Sequence, residues 1–215
     1  MKNHNFYDNC MLCPRTCGAQ RSKGKTGICG VTETLKVARA ALHFWEEPCI
    51  SGTKGSGAVF FSGCALHCVF CQNESIAQGT AGKEITPERL VEIFLELQEQ
   101  GANNINLVTP GQYVPHIIRA VEQARRQGLA VPIVYNTGSY ENVDTIRHWK
   151  ESWIFIFRIL SIWTRFLRQN IPMHQIIRRQ QRLQLQRWCV SSPGRCLRGK
   201  KKEAKTCPRK PAREL

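Results

Sequence analysis

Between residues 58 and 135 the chain alternates short apolar runs with amphipathic stretches at near-regular intervals, and this restricts its fold more than any other feature. Ala58-Val59-Phe60-Phe61 reads as a buried strand. Thr86 and Pro87 then offer an N-cap and a first-turn proline for a helix whose apolar face is Leu90, Ile93, Phe94 and Leu97, closed by Gly101. A second strand follows at Ile105-Asn106-Leu107-Val108. Next comes a helix with Ile117, Ile118, Val121 and Ala124 on one face, ended near Gly128, and a third strand from Val131 to Tyr135. Strand, helix, strand, helix, strand is the sequence form of βαβ crossovers and a parallel sheet, so the expected class is α/β. In such folds ligand sites gather at the carboxyl ends of the strands.

The segment leaving the first of these strands carries the chemistry. Gly63-Cys64-Ala65-Leu66-His67-Cys68-Val69-Phe70-Cys71-Gln72-Asn73 sets three thiols on one loop with the spacing Cys64-x3-Cys68-x2-Cys71. Thiolates are the natural ligands of iron–sulfur clusters, and electron-transfer clusters take four. A cubane held by three keeps one iron open to an exogenous ligand, as an open catalytic metal site differs from a closed structural one.

That loop resembles the signature of the radical S-adenosylmethionine (radical SAM) superfamily, with Phe70 at the aromatic position before the third cysteine. The stretch from His43-Phe44-Trp45-Glu46-Glu47-Pro48 through Gly55-Ser56-Gly57-Ala58 to Cys71-Gln72-Asn73 is similar to pyruvate formate-lyase activating enzyme homologues, the branch that includes activases of glycyl radical enzymes. The resemblance implies a [4Fe-4S] cluster on Cys64, Cys68 and Cys71, with S-adenosylmethionine chelated at the open iron and cleaved reductively to a 5′-deoxyadenosyl radical. It also implies a reduced flavodoxin or ferredoxin-type electron donor, a protein as one class of substrate, and a partial (β/α)6 barrel of which this chain holds the first three β/α units. Phe70 would pack beside the adenine, although a core aromatic reads the same way. Thr109-Pro110-Gly111-Gln112-Tyr113 stands where the superfamily often has a glycine-rich segment near the methionine amino group, without the acidic residue many relatives carry there. Thr109 and Gly111 are therefore candidates for cofactor binding. Asn136 and Thr137, in the segment Asn136-Thr137-Gly138-Ser139 after the third strand, are candidates for the ribose or the methionine carboxylate, with a plain turn as the competing reading.

A second cysteine group lies upstream, Cys10-x2-Cys13-Pro14-Arg15-Thr16-Cys17 followed by Cys29-Gly30. Four thiols among turn-forming glycines suit a small metal knuckle. Zinc, a second iron–sulfur cluster, free thiols and a redox pair all fit, because spacing alone does not fix the metal. Cys49 reads as a buried inert thiol. His43, His67 and His116 read as structural, since hydrogen abstraction by a radical needs no general base. Glu46 and Glu47 fit an exposed strand edge as well as a substrate contact.

Charge and composition then divide the chain. No amino-terminal signal segment and no stretch able to span a bilayer is legible, and eleven cysteines in metal-like spacings point to a reducing cytoplasm. The formal net charge of +15 is carried almost wholly by residues 150–215, which hold 17 Lys+Arg and 3 acids against 14 and 13 in residues 1–149. Trp149, Trp153, Trp163 and Trp188 cluster in the same region, and the alternation stops. The expected organisation is a Cys-rich segment at 1–52, a radical SAM core at 53–149, and an irregular basic tail at 150–215. A nucleic-acid or membrane-surface arm, a solvated extension and the product of a shifted reading frame near residue 148 compete for that tail, and on the last reading Cys189, Cys196 and Cys207 bind nothing in particular. Three function classes follow: a radical SAM activase-like enzyme, a zinc- and RNA-binding module, and a truncated inactive relative.

Overall fold

The computed structural model describes residues 6–46, 48–138, 140–148 and 154–158, with backbone alone at residue 49, at 147–148 and at 154–158. Glu47, Ser139, the side chain of Cys49, the four tryptophans from Trp149 onward and the cysteines Cys189, Cys196 and Cys207 lie outside the described residues, as do the competing readings of the basic tail.

The architecture is a mixed α/β sheet. Its strands are β1 (Lys36–His43), β2 (Ser56–Phe61), β3 (Lys83–Glu84), β4 (Ile105–Val108), β5 (Ile133–Thr137) and β6 (Ile154–Arg158), in the order β3-β1-β2-β4-β5-β6. The helices are α1 (Pro48–Ser51), α2 (Glu74–Ala77), α3 (Pro87–Glu99), α4 (Val114–Arg126) and α5 (Val143–His148). β2, β4, β5 and β6 run parallel, as the alternation requires, whereas β1 pairs antiparallel with both β2 and β3.

Alternation along the parallel strands sorts the core. Val59, Phe61, Ile105, Leu107, Ile133 and Tyr135 are all fully buried and pack with Leu90, Phe94, Leu97, Ile117, Val121 and Ala124 of α3 and α4. Burying a side chain of this size stabilises the fold by roughly 1.5–3 kcal/mol, so these two helices anchor one face of the sheet. Residues of opposite parity, Ala58, Phe60, Asn106, Val108, Val134 and Asn136, occupy the other face and lie beside one another in register. α3 begins as expected: Thr86 Oγ1 accepts from the Arg89 amide at 3.2 Å and Pro87 opens the first turn. Gly101 follows its end at a φ of 86°, a conformation glycine adopts without steric cost.

The structure departs from the sequence expectation in three places. The third strand starts at Ile133, not Val131, because the amides of Ala130 and Val131 donate to Gln98 Oε1 at 2.6 and 3.1 Å instead of joining the ladder. Asn136 and Thr137 are consequently the last two residues of β5 and not a following turn. The sheet also extends on both sides: Lys36–His43 adds an antiparallel strand, and Ile154–Arg158 continues the parallel order beyond the expected break. The run Ile154-Phe155-Ile156-Phe157 is rich in β-branched and aromatic residues, which suits a strand. Among the described residues no helix is long and apolar enough to cross a membrane.

Candidate functional site

The parallel register brings three chain segments to one edge of the sheet. Phe60 lies beside Val108 and Val108 beside Asn136, so the loop after β2, the segment from Thr109 and the end of β5 emerge together at the carboxyl ends of their strands. The first of these loops holds Cys64, Cys68 and Cys71, all partly buried and all free thiols. The amide of Cys71 donates to the Cys68 carbonyl at 3.0 Å, folding the second half of the motif into a turn. Burial raises the Cys64 thiol above its ordinary value, and burial together with the neighbouring Cys64 and Cys71 pushes Cys68 up to about 11. Cys64 and Cys68 thus sense the charge of their neighbours in the motif. Binding to a cation would remove that mutual repulsion, since a coordinating thiol is deprotonated outright.

The root of the loop is fixed by the segment before β1. Cys64 N donates to Cys29 O at 3.2 Å, Arg15 Nε donates to Ala65 O at 3.0 Å, and His67 Nε2 stands 2.6 Å from Ile28 O. Gly63 has a φ of 88°, and a Cβ there would fall 2.7 Å from Cys29 O, so only glycine fits. Leu66 reaches across to the residue after β5, its Cδ1 lying 2.6 Å from where a Cβ on Gly138 would stand.

The sequence-predicted ligand positions are distributed around this edge. Thr109 adopts a φ of 54° and its amide donates to Asn136 O at 3.2 Å, which ties the two candidate segments together. Asn136 and Thr137 are buried, while Gly111 begins a short 3-10 turn, Gly111–Tyr113. Phe70 is 52% exposed and adjoins Val69 at 93%, which removes the core-aromatic reading and leaves an apolar surface beside the thiols. His116 is structural, as expected: it stacks on Tyr7 at 5.0 Å, sits 3.8 Å from Glu33 Oε1, and burial lowers its pKa despite that carboxylate.

Three residues escaped the sequence reading. Glu141 is a buried carboxylic acid that accepts hydrogen bonds from Thr137 and Tyr135, and burial raises it to about 7. Its Oε1 lies 3.8 Å from where a Cβ on Gly111 would stand, so this edge holds an acidic group although Thr109–Tyr113 itself has none. Asn106 is fully buried on the sheet face opposite α3 and α4, and its carboxamide has no hydrogen-bond partner among the described residues. A polar residue inside an otherwise apolar strand was the available signal. Arg21 is 1% exposed and lies over the Tyr7 ring, 4.8 Å from its centroid. Nothing in an isolated arginine flanked by polar residues foretells its burial.

The upstream thiols also gather. Cys10 and Cys29 are buried, Cys13 and Cys17 partly so, and a Cβ on Gly27 would lie 3.4 Å from the sulfurs of both Cys17 and Cys29. Burial pushes Cys13 up to about 11, with Cys29, Cys10 and Cys17 adding to the rise. Among the described residues, however, no three Cys, His, Asp or Glu side chains converge closely enough to hold a metal ion, in either cysteine group. The Cys64 loop fits an iron–sulfur cluster by donor chemistry and placement: three thiols, one loop, the carboxyl edge of a parallel sheet. An open groove of ≈ 510 Å³ lies elsewhere, lined by Arg21, Glu33, Leu35, Ile85, Pro87 and His116 among others and by none of these three cysteines.

Comparison with known proteins bears on this edge. The chain is 28% identical over 147 residues to an uncharacterized protein of Methanocaldococcus jannaschii, MJ0674, a match covering 65% of this chain and 41% of that relative. The chain thus spans about two fifths of the length of the curated relative it matches. No solved structure matches. The family model of the Radical SAM superfamily matches residues 58–159, from the start of the β2 apolar run past β6. Residues 58–159, which carry the three-thiol loop and most of the parallel strands, are thus similar to the Radical SAM superfamily.

Proposed function

We propose that this protein is a radical SAM enzyme of the glycyl-radical-enzyme activase type, in which Cys64, Cys68 and Cys71 ligate a [4Fe-4S] cluster and the adjoining strand ends bind S-adenosylmethionine. The observation that carries the reading is the convergence of the three-thiol loop, Thr109 and Asn136 at one carboxyl edge of the parallel strands. The chemistry supplied by a bound cluster is one-electron reductive cleavage of the sulfonium. The chain's own part is to hold and orient. Thr109 and Gly111 offer backbone groups to the methionine end, Asn136 and Thr137 offer polar side chains to the ribose or carboxylate, and the exposed ring of Phe70 offers a face to the adenine. Glu141 adds a carboxyl at the same edge, which partners a cationic amine when ionised.

On this reading the parallel strands are part of a (β/α)6 barrel, the electron arrives from a reduced flavodoxin or ferredoxin-type protein, and the compartment is the reducing cytoplasm. The substrate class is a protein bearing the glycine to be activated. The upstream thiols Cys10, Cys13, Cys17 and Cys29 share one segment and raise one another's pKa, which supports a second site for zinc or another cluster only if the segment draws them together on binding.

Anaerobic reconstitution with iron and sulfide tests the assignment, comparing wild type with a Cys64→Ala, Cys68→Ala, Cys71→Ala triple variant. After dithionite and S-adenosylmethionine, wild type is expected to yield 5′-deoxyadenosine and the variant none. Equal iron and sulfide in both proteins would overturn the ligand assignment. A cluster in wild type without product would overturn the cleavage reaction.

A further inference from the structure

The backbone at the root of the thiol loop can be accounted for group by group. Ser62 N donates to Lys36 O at 2.9 Å, Gly63 N to Ile76 O at 2.7 Å and Cys64 N to Cys29 O at 3.2 Å. The two carbonyls between these amides are met by one side chain. Gln112 Nε2 donates to Ser62 O at 2.9 Å and to Gly63 O at 2.8 Å, which uses both protons of its carboxamide. Gln112 is 7% exposed, so water does not stand in for either contact.

Gln112 is itself held from the opposite side. Arg21 Nη1 donates to Gln112 O at 2.8 Å, while Arg21 Nε and Nη2 donate to Val31 O and Thr32 O at 3.2 and 2.6 Å. Nη1 also reaches Cys10 Sγ at 3.7 Å, and the guanidinium lies 4.8 and 5.7 Å from the ring centroids of Tyr7 and Tyr113. A buried guanidinium whose fork is spread over three carbonyls is a rigid strut, because each contact is charge-assisted and directional. The chain of contacts therefore runs from the Cys10 segment through Arg21 and Gln112 to the two residues that precede Cys64.

We propose that Gln112 is a positioning residue for the Cys64 loop, and that buried Arg21 is the strut that fixes it. The proposal rests on the reading of that loop as the cluster-binding loop and names what sets its geometry. The Gln112 carboxamide bonds the Ser62 and Gly63 carbonyls rather than a thiol. It acts by fixing where the loop leaves β2, so that Cys64, Cys68 and Cys71 start from one defined position relative to Thr109 and Asn136. Its own place at the end of Thr109–Tyr113 means that movement of the cofactor segment and movement of the thiol loop are mechanically one event.

The test uses Gln112→Met and Gln112→Glu, two side chains of similar length that cannot make both donations, in the full chain. Amide hydrogen exchange is measured on the iron-free protein, comparing residues 62–68 with α3 at 87–99 in the same sample. Loss of both donations is expected to speed exchange across 62–68 by about tenfold or more while α3 stays within about twofold. Unchanged exchange at 62–68 in either folded variant overturns the proposal. A uniform rise that includes α3 also overturns it, by making Gln112 a general stability residue. The same variants are then reconstituted, and the electron paramagnetic resonance signal of the reduced cluster is recorded with and without S-adenosylmethionine. A perturbation by cofactor in wild type that is lost in the variants supports positioning, and one retained in full overturns it. If wild type itself binds no cluster, the functional reading fails, while the exchange comparison still decides whether Gln112 orders the loop.

Discussion

Replacing Gly63 by alanine isolates how tightly the upstream segment is pressed against the thiol loop, because Gly101 supplies a matched control. The two glycines have nearly the same φ, 88° and 86°, so the backbone penalty of a Cβ is common to both, about 1–2 kcal/mol. Their surroundings differ. Around Gly101 nothing lies within 4 Å of an added Cβ, whereas at Gly63 it meets Cys29 O at 2.7 Å and the Val31 methyls at 2.8 and 2.9 Å. Overpacking of this kind costs about 1–3 kcal/mol. Relief requires the Cys29 carbonyl to retreat, which sacrifices the hydrogen bond it accepts from Cys64 N, about 1 kcal/mol more. The expected losses are therefore about 3–6 kcal/mol for Gly63→Ala against about 1–2 kcal/mol for Gly101→Ala. In urea unfolding followed by far-ultraviolet circular dichroism, a slope near 2 kcal/mol per molar separates the two midpoints by roughly 1–2 M. Coincident midpoints would refute the contact between the Cys29 turn and the loop root.

Other perturbations read other parts of the structure. Glu141 is raised by burial to about 7, so its folded form holds a proton more tightly than the unfolded chain; its stabilising contribution is complete below about pH 4.5 and fades as pH rises through about 7. Glu141→Gln is expected to remove a pH-dependent loss of up to about 3 kcal/mol over that window, and parallel stability-against-pH curves for the two proteins would contradict it. Asn106→Leu is expected to leave the iron-free fold as stable or about 1 kcal/mol more so, since the carboxamide has no partner among the described residues, while weakening ligand binding on that sheet face; a clear loss of stability in denaturant would show that Asn106 serves the fold. Thr86→Ala removes the cap on α3 and should cost about 1 kcal/mol in the same assay, with an unshifted midpoint counting against the capping geometry.

The parallel strands and the apolar faces of α3 and α4 were legible because each is a local pattern: period two or period 3.6, punctuated by Thr86-Pro87 and by glycine. The thiol motif was legible for the same reason. Edges and long-range contacts were not. Lys36–His43 has a burial pattern with few fully buried positions and becomes a strand only because β2 lies beside it. The start of β5 was displaced because Gln98, more than thirty residues earlier, captures the amides of Ala130 and Val131. Arg21, Gln112 and Glu141 look like ordinary surface residues in sequence, and their burial follows from which segments meet at the sheet edge.

The contacts between the first described segment and the segment 140–148 bear on how the protein is made. Asn142 Nδ2 donates to Met11 O at 2.5 Å and Thr145 Oγ1 to Leu12 O at 2.8 Å, across separations of 131 and 133 residues. A ribosome adding 5–20 residues per second needs roughly 7–26 s to supply the partners of that first segment. Throughout that interval Cys10, Cys13, Cys17 and Cys29 emerge without the residues that later bond the Met11 and Leu12 carbonyls. Amide exchange at residues 10–17 of chains stalled before and after α5 clears the exit tunnel should therefore be faster in the first, and equal exchange would refute the coupling. The upstream thiols thus meet metals and oxidants before the later partners of their own segment have been made.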